Sequence, residues 1–212
     1  MSHSAQKDEN TKIGALEGLA EALRVIPGIG HKSAQRIAFD LLLHQQQAGV
    51  HLAESLLRAY RELVHCKQCN TLTDQEICHV CSNPDRDHSL LCVVQTPADQ
   101  LMIEQTQTYY GLYFVLAGAL SPLEGHKGSD IGLEALLERV QHTHIPIKEL
   151  VIATHFTNEG ELTAHVIAEN IATTTPNLNI SRLAKGIPIG SELEQIDLGT
   201  LASSMLHRQD KF

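Results

Sequence analysis

Residues 66–81 read CKQCNTLTDQEICHVC. Four of the five cysteines of the chain stand here in two Cys-x-x-Cys pairs, Cys66 with Cys69 and Cys78 with Cys81. In a reducing compartment disulfides are disfavoured, and two such turns brought together present four soft thiolates in the tetrahedral array that suits zinc. Four thiolates saturate the ion and leave no open position for water or substrate, so one structural Zn²⁺ per chain is expected, against a redox pair or free thiols as the alternatives. The eight residues between the pairs are polar enough for a small hairpin or knuckle. His65 and His79 are substitute ligands, and Lys67 is placed to donate toward the thiolates. Cys92, within the apolar run Leu90–Val94, reads as a small buried core residue.

Before this stretch the pattern is helical. Leu16, Leu19, Ala20 and Leu23 recur at helical spacing, as do Ala34, Ile37, Ala38 and Leu41, which predicts two amphipathic helices. Between them lies Val25-Ile26-Pro27-Gly28-Ile29-Gly30-His31-Lys32-Ser33, where proline stops the first helix and two glycines permit a tight turn into the second. The spacing predicts a helix-hairpin-helix over 13–65. Gly28 and Gly30 let backbone N–H groups approach a phosphate, the second helix aims its positive N-terminus at the same anion, and Lys32 and Arg36 share one helical face beside it. Such contacts position a nucleic-acid backbone without reading its bases; the alternative is an ordinary helical turn with solvated charges. A third helix is expected with Leu52, Leu56, Tyr60, Leu63 and Val64 on one face. Residues 1–12 read as a mobile tail.

After the cysteines, from about Leu90, strands and helices alternate. Strands are predicted at 90–95, 112–117, 149–154 and 179–184, and helices at 98–107, 130–142 and 160–172. This order predicts a parallel sheet with its binding groups at the carboxyl ends of the strands. Those ends, Val94-Gln95-Thr96-Pro97 and Ala153-Thr154-His155-Phe156-Thr157-Asn158-Glu159-Gly160-Glu161, resemble a Toprim domain. Catalytic Toprim enzymes hold Mg²⁺ with a Glu after the first strand and a later Asp-x-Asp, but here Gln95 replaces the Glu, and His155 and Thr157 replace the later acids. A neutral amide is a poor ligand for a hard cation, so no nuclease, primase or topoisomerase chemistry is expected. Glu159 and Glu161 either support the N-terminus of the next helix or contact a partner.

Composition sets the frame. The chain has 212 residues, 42% hydrophobic and 4% aromatic, with no Trp, so a soluble protein of one or two compact units with an aliphatic core is expected. No run reaches the roughly 18 apolar residues of a membrane span and the start is polar, which places the expectation in the cytoplasm. The net charge is −9. Residues 1–65 hold seven Lys/Arg and seven Asp/Glu, whereas residues 66–212 hold nine and eighteen. Nucleic-acid contact is therefore sought in the first part.

The ordered set PGIGHKSAQRIAFDLL, two CxxC pairs eight residues apart, CVVQTPAD, GLYFVLAGALSPLEG, LVIATHFTNEGE and RLAKGIPIGSELEQID closely resembles the RecR family of bacterial recombination mediators, over roughly residues 13–212. The resemblance implies an α/β chain divided into a 1–12 tail, a 13–65 helix-hairpin-helix DNA-binding region, a 66–88 four-cysteine zinc finger, an 89–184 Toprim domain with a parallel sheet and a 185–212 C-terminal extension. It also implies a non-enzymatic role in DNA repair. Such proteins form ring-like homotetramers, bind single- and double-stranded DNA without sequence preference, and work with RecO and RecF to load RecA onto strands coated by SSB. Lys32 and Arg36 then line the ring. Family members usually carry Glu at the Gln95 position and Asn-Pro-Thr-Val where this chain has His155-Phe156-Thr157-Asn158. The acidic later part suits a basic partner, with weak DNA binding alone and stronger binding with RecO. The C-terminal stretch, with Leu198, Leu201 and Leu206, is expected to close the domain in preference to forming an interface. Competing readings are a Toprim enzyme with an unusual metal set and a zinc adaptor that binds only proteins.

Overall fold

The computed structural model describes residues 14–121, 128 and 131–206. The predicted tail, the first residue of the predicted 130–142 helix and the last six residues of the C-terminal extension lie outside the described residues. The chain divides into two compact units, with the boundary between Glu62 and Leu63.

The first unit is helical. α1 (Ala15–Leu23) and α2 (His31–Leu43) pack through Ala20, Ala34 and Ala38, the buried residues among those described in this unit. Small side chains at these positions let the two helices approach closely. The turn between them contains Gly28 at φ +83°, a left-handed conformation that favours glycine, and Ile29 N donates to Ile26 O at 3.1 Å. α3 (Gln46–Glu62) buries none of its residues. Its predicted apolar face is corrected at the end: the helix stops at Glu62, and Val64 opens strand β1 (Val64–His65), paired antiparallel to β2 (Leu72–Thr73). Backbone pairing across the cysteine hairpin requires extended residues there, and this overrides the helical spacing.

The second unit is built on four parallel strands, as the alternation predicts. These are β3 (Asp87–Val94), β4 (Gly111–Val115), β5 (Glu149–Ala153) and β6 (Asn179–Arg182), in the order β4-β3-β5-β6. The helices are α4 (Pro97–Gln105), α5 (Leu133–Gln141) and α6 (Asn158–Thr174). Local chemistry sets their ends. Thr96 and Asp99 form a reciprocal capping box with Pro97 in the first turn, so α4 starts one residue before its predicted beginning; Gln107 at φ +54° lies just past its end. Thr157 accepts from Gly160 N and starts α6 two residues earlier than its spacing suggests.

Alternation along β3 divides the core into two layers. Leu91 and Val93 face a cluster with Leu136 and Val140 of α5 and Ile167 and Ile171 of α6. Cys92 and Val94 face the opposite way, into a cluster containing Tyr113, Val115 and all four motif cysteines. The cysteine hairpin thus shares with Ile103 of α4 the covering of this face of the sheet. It is joined to β4 by a backbone bond, Val115 N donating to Cys69 O at 2.7 Å, and by a side-chain bond, Asn70 Nδ2 donating to Val115 O at 2.9 Å. Cys92 is a buried core residue, and burial pushes its thiol up to about 12.

The C-terminal stretch corrects an expectation. It forms a short 3₁₀ turn (Leu193–Gln195) and α7 (Leu198–Leu206), and neither contains a buried residue. Leu193, Leu198 and Leu206 are exposed, and no described element of the chain covers them, so the described part of this segment does not close the domain core.

Candidate metal centre and nucleic-acid interface

The ligand sulfurs of Cys66, Cys69, Cys78 and Cys81 all lie within 4.8 Å of one another, and all four residues are buried. Cys69 Sγ and Cys78 Sγ are 3.5 Å apart. A tetrahedron with Zn–S bonds of about 2.3 Å has edges of about 3.8 Å, so the donor set fits the ion in both size and chemistry. The hairpin positions it: Cys66 N donates to Thr71 O, Asn70 N to Cys66 O, and Lys67 N to Glu76 O. Asn70 takes φ +63° immediately after Cys69, a left-handed conformation that asparagine tolerates. Cys78 N donates to Cys66 Sγ at 3.3 Å, the kind of amide-to-sulfur bond that stabilises a thiolate.

Without a cation the four sulfurs cannot all ionise. The Cys69 thiol is held down at about 5, chiefly by its hydrogen bond with Cys81, while that same bond and burial push Cys81 up. Zn²⁺ resolves this conflict by balancing the negative charge. Of the two substitute ligands, His65 uses Nδ1 on Asn70 O at 2.9 Å, and neither histidine joins the sulfur cluster. Lys67 differs from expectation: its Nζ pairs with Glu76 across the hairpin, an exposed carboxylate within easier reach than the buried sulfurs.

At the hairpin of the first unit, Lys32 and Arg36 are exposed, one turn apart on α2. Among the described residues neither side chain has a hydrogen bond or ion pair. The N-cap of α2 is Gly30, and no side chain caps the helix. A Cβ added to Gly28 or Gly30 would meet nothing within 4 Å, so the space beside the backbone is open. The turn therefore combines two free cations, an uncapped helix N-terminus and unobstructed backbone, the elements of a phosphate cradle.

The carboxyl edge of the sheet is organised differently. Gln95 is buried and its Oε1 accepts from His155 N, which ties the end of β3 to the end of β5. His155 Nε2 lies 3.0 Å from Asp99 Oδ1, while Asp99 Oδ2 accepts from Thr96. Burial pushes the Asp99 carboxyl up, but its bonds to His155 and Thr96 prevail and hold it below the usual range. Asp99 was not singled out from sequence; the Thr-Pro-Ala-Asp capping pattern was its visible signal. Thr157 caps α6, Glu159 is exposed in its first turn, and Glu161 pairs with Arg182 at 2.5 Å and Lys185 at 2.9 Å. Of the two acids considered for a partner, Glu161 is thus engaged within the chain.

Comparison with known families matches residues 16–60 to the RecR helix-hairpin-helix, residues 63–83 to the RecR four-cysteine zinc finger domain, residues 89–184 to the Toprim domain and residues 186–209 to the RecR C-terminal segment. The cysteine quartet is the structural zinc site of this finger. Matched in this order along the chain, the four segments show that it belongs to the RecR family.

Proposed function

We propose that this chain is a non-enzymatic recombination mediator that holds DNA through the α1–α2 hairpin. Its family domains support a DNA-binding role in recombination repair. The observation that carries the specific reading is the conjunction of unpaired Lys32 and Arg36 with the uncapped start of α2, because it offers phosphate contacts and no base readout. In this reading Lys32, Arg36 and the backbone at Gly28 and Gly30 contact single- or double-stranded DNA, and the chain works with RecO and RecF to load RecA onto SSB-coated strands in the bacterial cytoplasm, at the nucleoid. The unequal charge distribution supports weak binding alone and stronger binding beside a basic partner. Exposed Glu159 remains available to such a partner.

Two further features support this reading. The Toprim edge offers a buried amide and an Asp–His pair where metal-dependent phosphoryl transfer needs clustered carboxylates. α3 exposes Val50, Leu52, Leu56, Leu57 and Tyr60, an apolar surface suited to self-association into a tetrameric ring, where several weak hairpins act together.

The test is fluorescence anisotropy of labelled gapped DNA at low and moderate salt, using zinc-loaded wild type and the Lys32→Ala/Arg36→Ala variant. The wild type is expected to bind in a salt-sensitive manner, with the variant losing about 0.7–0.9 of the log–log salt slope for each phosphate contact removed. Equal binding by both proteins refutes the hairpin assignment, and no binding by either favours an adaptor that binds only proteins.

A further inference from the structure

A cleft of about 680 Å³ lies within the second unit, between the cysteine hairpin and α5. Its floor includes Leu112 and Phe114 of β4, and its outer wall is the segment that follows α5. This volume falls in the range of small-molecule sites. The unit as a whole is acidic, yet the cleft is lined by Arg139, His88, His142 and His144, with exposed Glu138 as its acidic lining residue.

Arg139 is the informative side chain. It is half-buried, its Nε is fully shielded without a hydrogen-bond partner, and among the described residues its guanidinium has no ion pair. A half-buried guanidinium without an anionic partner is costly, and because Arg139 lines the cleft, an acceptor there that reaches its remaining N–H groups would be stabilised. The other cation of the cleft, Lys67, is already paired with Glu76, so it does not compensate for that acceptor.

The imidazoles raise the question of a metal, but the geometry argues against one. Among the described residues, only the four cysteines bring three or more ligand atoms close enough to share an ion, and a guanidinium in the cleft repels a cation. Arginine and imidazole N–H groups instead suit the several oxygens of a phosphate, while the apolar floor suits the attached sugar.

We infer that the cleft between the cysteine hairpin and α5 binds a phosphate group, anchored by Arg139, and that its source is the backbone of a DNA strand. The phosphate chemistry stands on the cleft alone; the DNA source rests on the DNA-binding reading of this family. The site is separate from the α1–α2 hairpin and gives the second unit its own nucleic-acid contact.

The experiment uses the full zinc-loaded chain and measures anisotropy of a labelled single-stranded oligonucleotide, with Arg139→Gln and His144→Gln made separately in wild type and in the Lys32→Ala/Arg36→Ala background. Zinc content and melting temperature check each variant, and exposed His144 supplies a substitution that leaves the core untouched. Arg139→Gln is expected to weaken binding about tenfold in both backgrounds and to reduce the log–log salt slope by about 0.7, with a smaller loss for His144→Gln. Competition with inorganic phosphate and thymidine monophosphate separates the sources: weak, millimolar competition supports the strand, whereas tight binding of the mononucleotide retains the phosphate site but overturns the strand as its source. Unchanged oligonucleotide and phosphate binding in folded Arg139→Gln and His144→Gln overturns the cleft and leaves the hairpin reading intact. Loss through Arg139→Gln together with full binding by Lys32→Ala/Arg36→Ala sinks the hairpin reading and retains the cleft.

Discussion

Asn70 joins backbone geometry to the zinc site. Its φ of +63° lets the chain turn after Cys69, while its side chain donates to Val115 O and ties the hairpin to β4. Asn70→Ala is expected to lose both the tolerance for this conformation and a part-buried hydrogen bond, destabilising the protein by about 1–3 kcal/mol in denaturant unfolding. Asn70→Gly restores the backbone freedom but not the bond, and its loss should be smaller. Cys66→Ser is a harsher change. The fit of four sulfurs to one ion predicts that it abolishes stoichiometric zinc by atomic absorption and removes more than about 3 kcal/mol of stability, since metal binding is coupled to folding. Because the cysteines also pack against Cys92, Val94 and Tyr113, the disruption should reach the sheet and appear in its near-ultraviolet tyrosine signal.

Among the elements, α4 shows how electrostatics fastens a helix to the sheet. Glu104 receives Arg86 Nη1 at 2.9 Å and the Tyr113 hydroxyl at 2.7 Å. Burial pushes this carboxyl up, but the bonds from Arg86 and Tyr113 outweigh it and hold it below the ordinary glutamate range. A depressed folded-state value means that the stabilisation is present above the unfolded glutamate value and is lost as pH falls through the folded one. Glu104→Gln should therefore destabilise at neutral pH by about 1–3 kcal/mol, with the difference from wild type shrinking as acid protonates the carboxyl; thermal melts from pH 7 down to pH 3 test this. The β5–α6 connection is constrained by space instead. A Cβ on Gly160 would lie 2.1 Å from His155 O, so only glycine lets α6 begin this close to the strand.

For the whole molecule, the two units differ in how they use apolar residues. Among the described residues, the second buries an apolar core on both faces of its sheet, whereas the first buries three alanines and exposes Leu52, Leu56 and Tyr60 of α3. An uncovered apolar face of this extent suits contact with another chain. Leu56→Glu/Tyr60→Glu is expected to lower the solution mass measured by light scattering while leaving zinc content unchanged. An unchanged mass would remove α3 from the proposed self-association. No helix among the described residues is long and apolar enough to cross a membrane.

Much of this architecture was legible from residue patterns whose causes are local. Cysteine spacing identified the metal ligands, glycine and proline placed the hairpin turn, and apolar periodicity found each helix and strand of the parallel sheet. Element ends were less legible, because the Thr96 and Thr157 caps and the extended Val64 depend on hydrogen bonds that hydrophobic spacing does not express. Tertiary structure alone decided the role of the cysteine hairpin as a covering layer for β3 and β4, since burial there depends on residues distant in sequence. It also decided the pairing of Lys67 with Glu76, the joining of Gln95 to His155 and the gathering of Arg139 with histidines from separate segments. Local sequence specifies which groups a chain carries and how short stretches bend; which groups meet, and which remain without a partner, is set by packing across the fold.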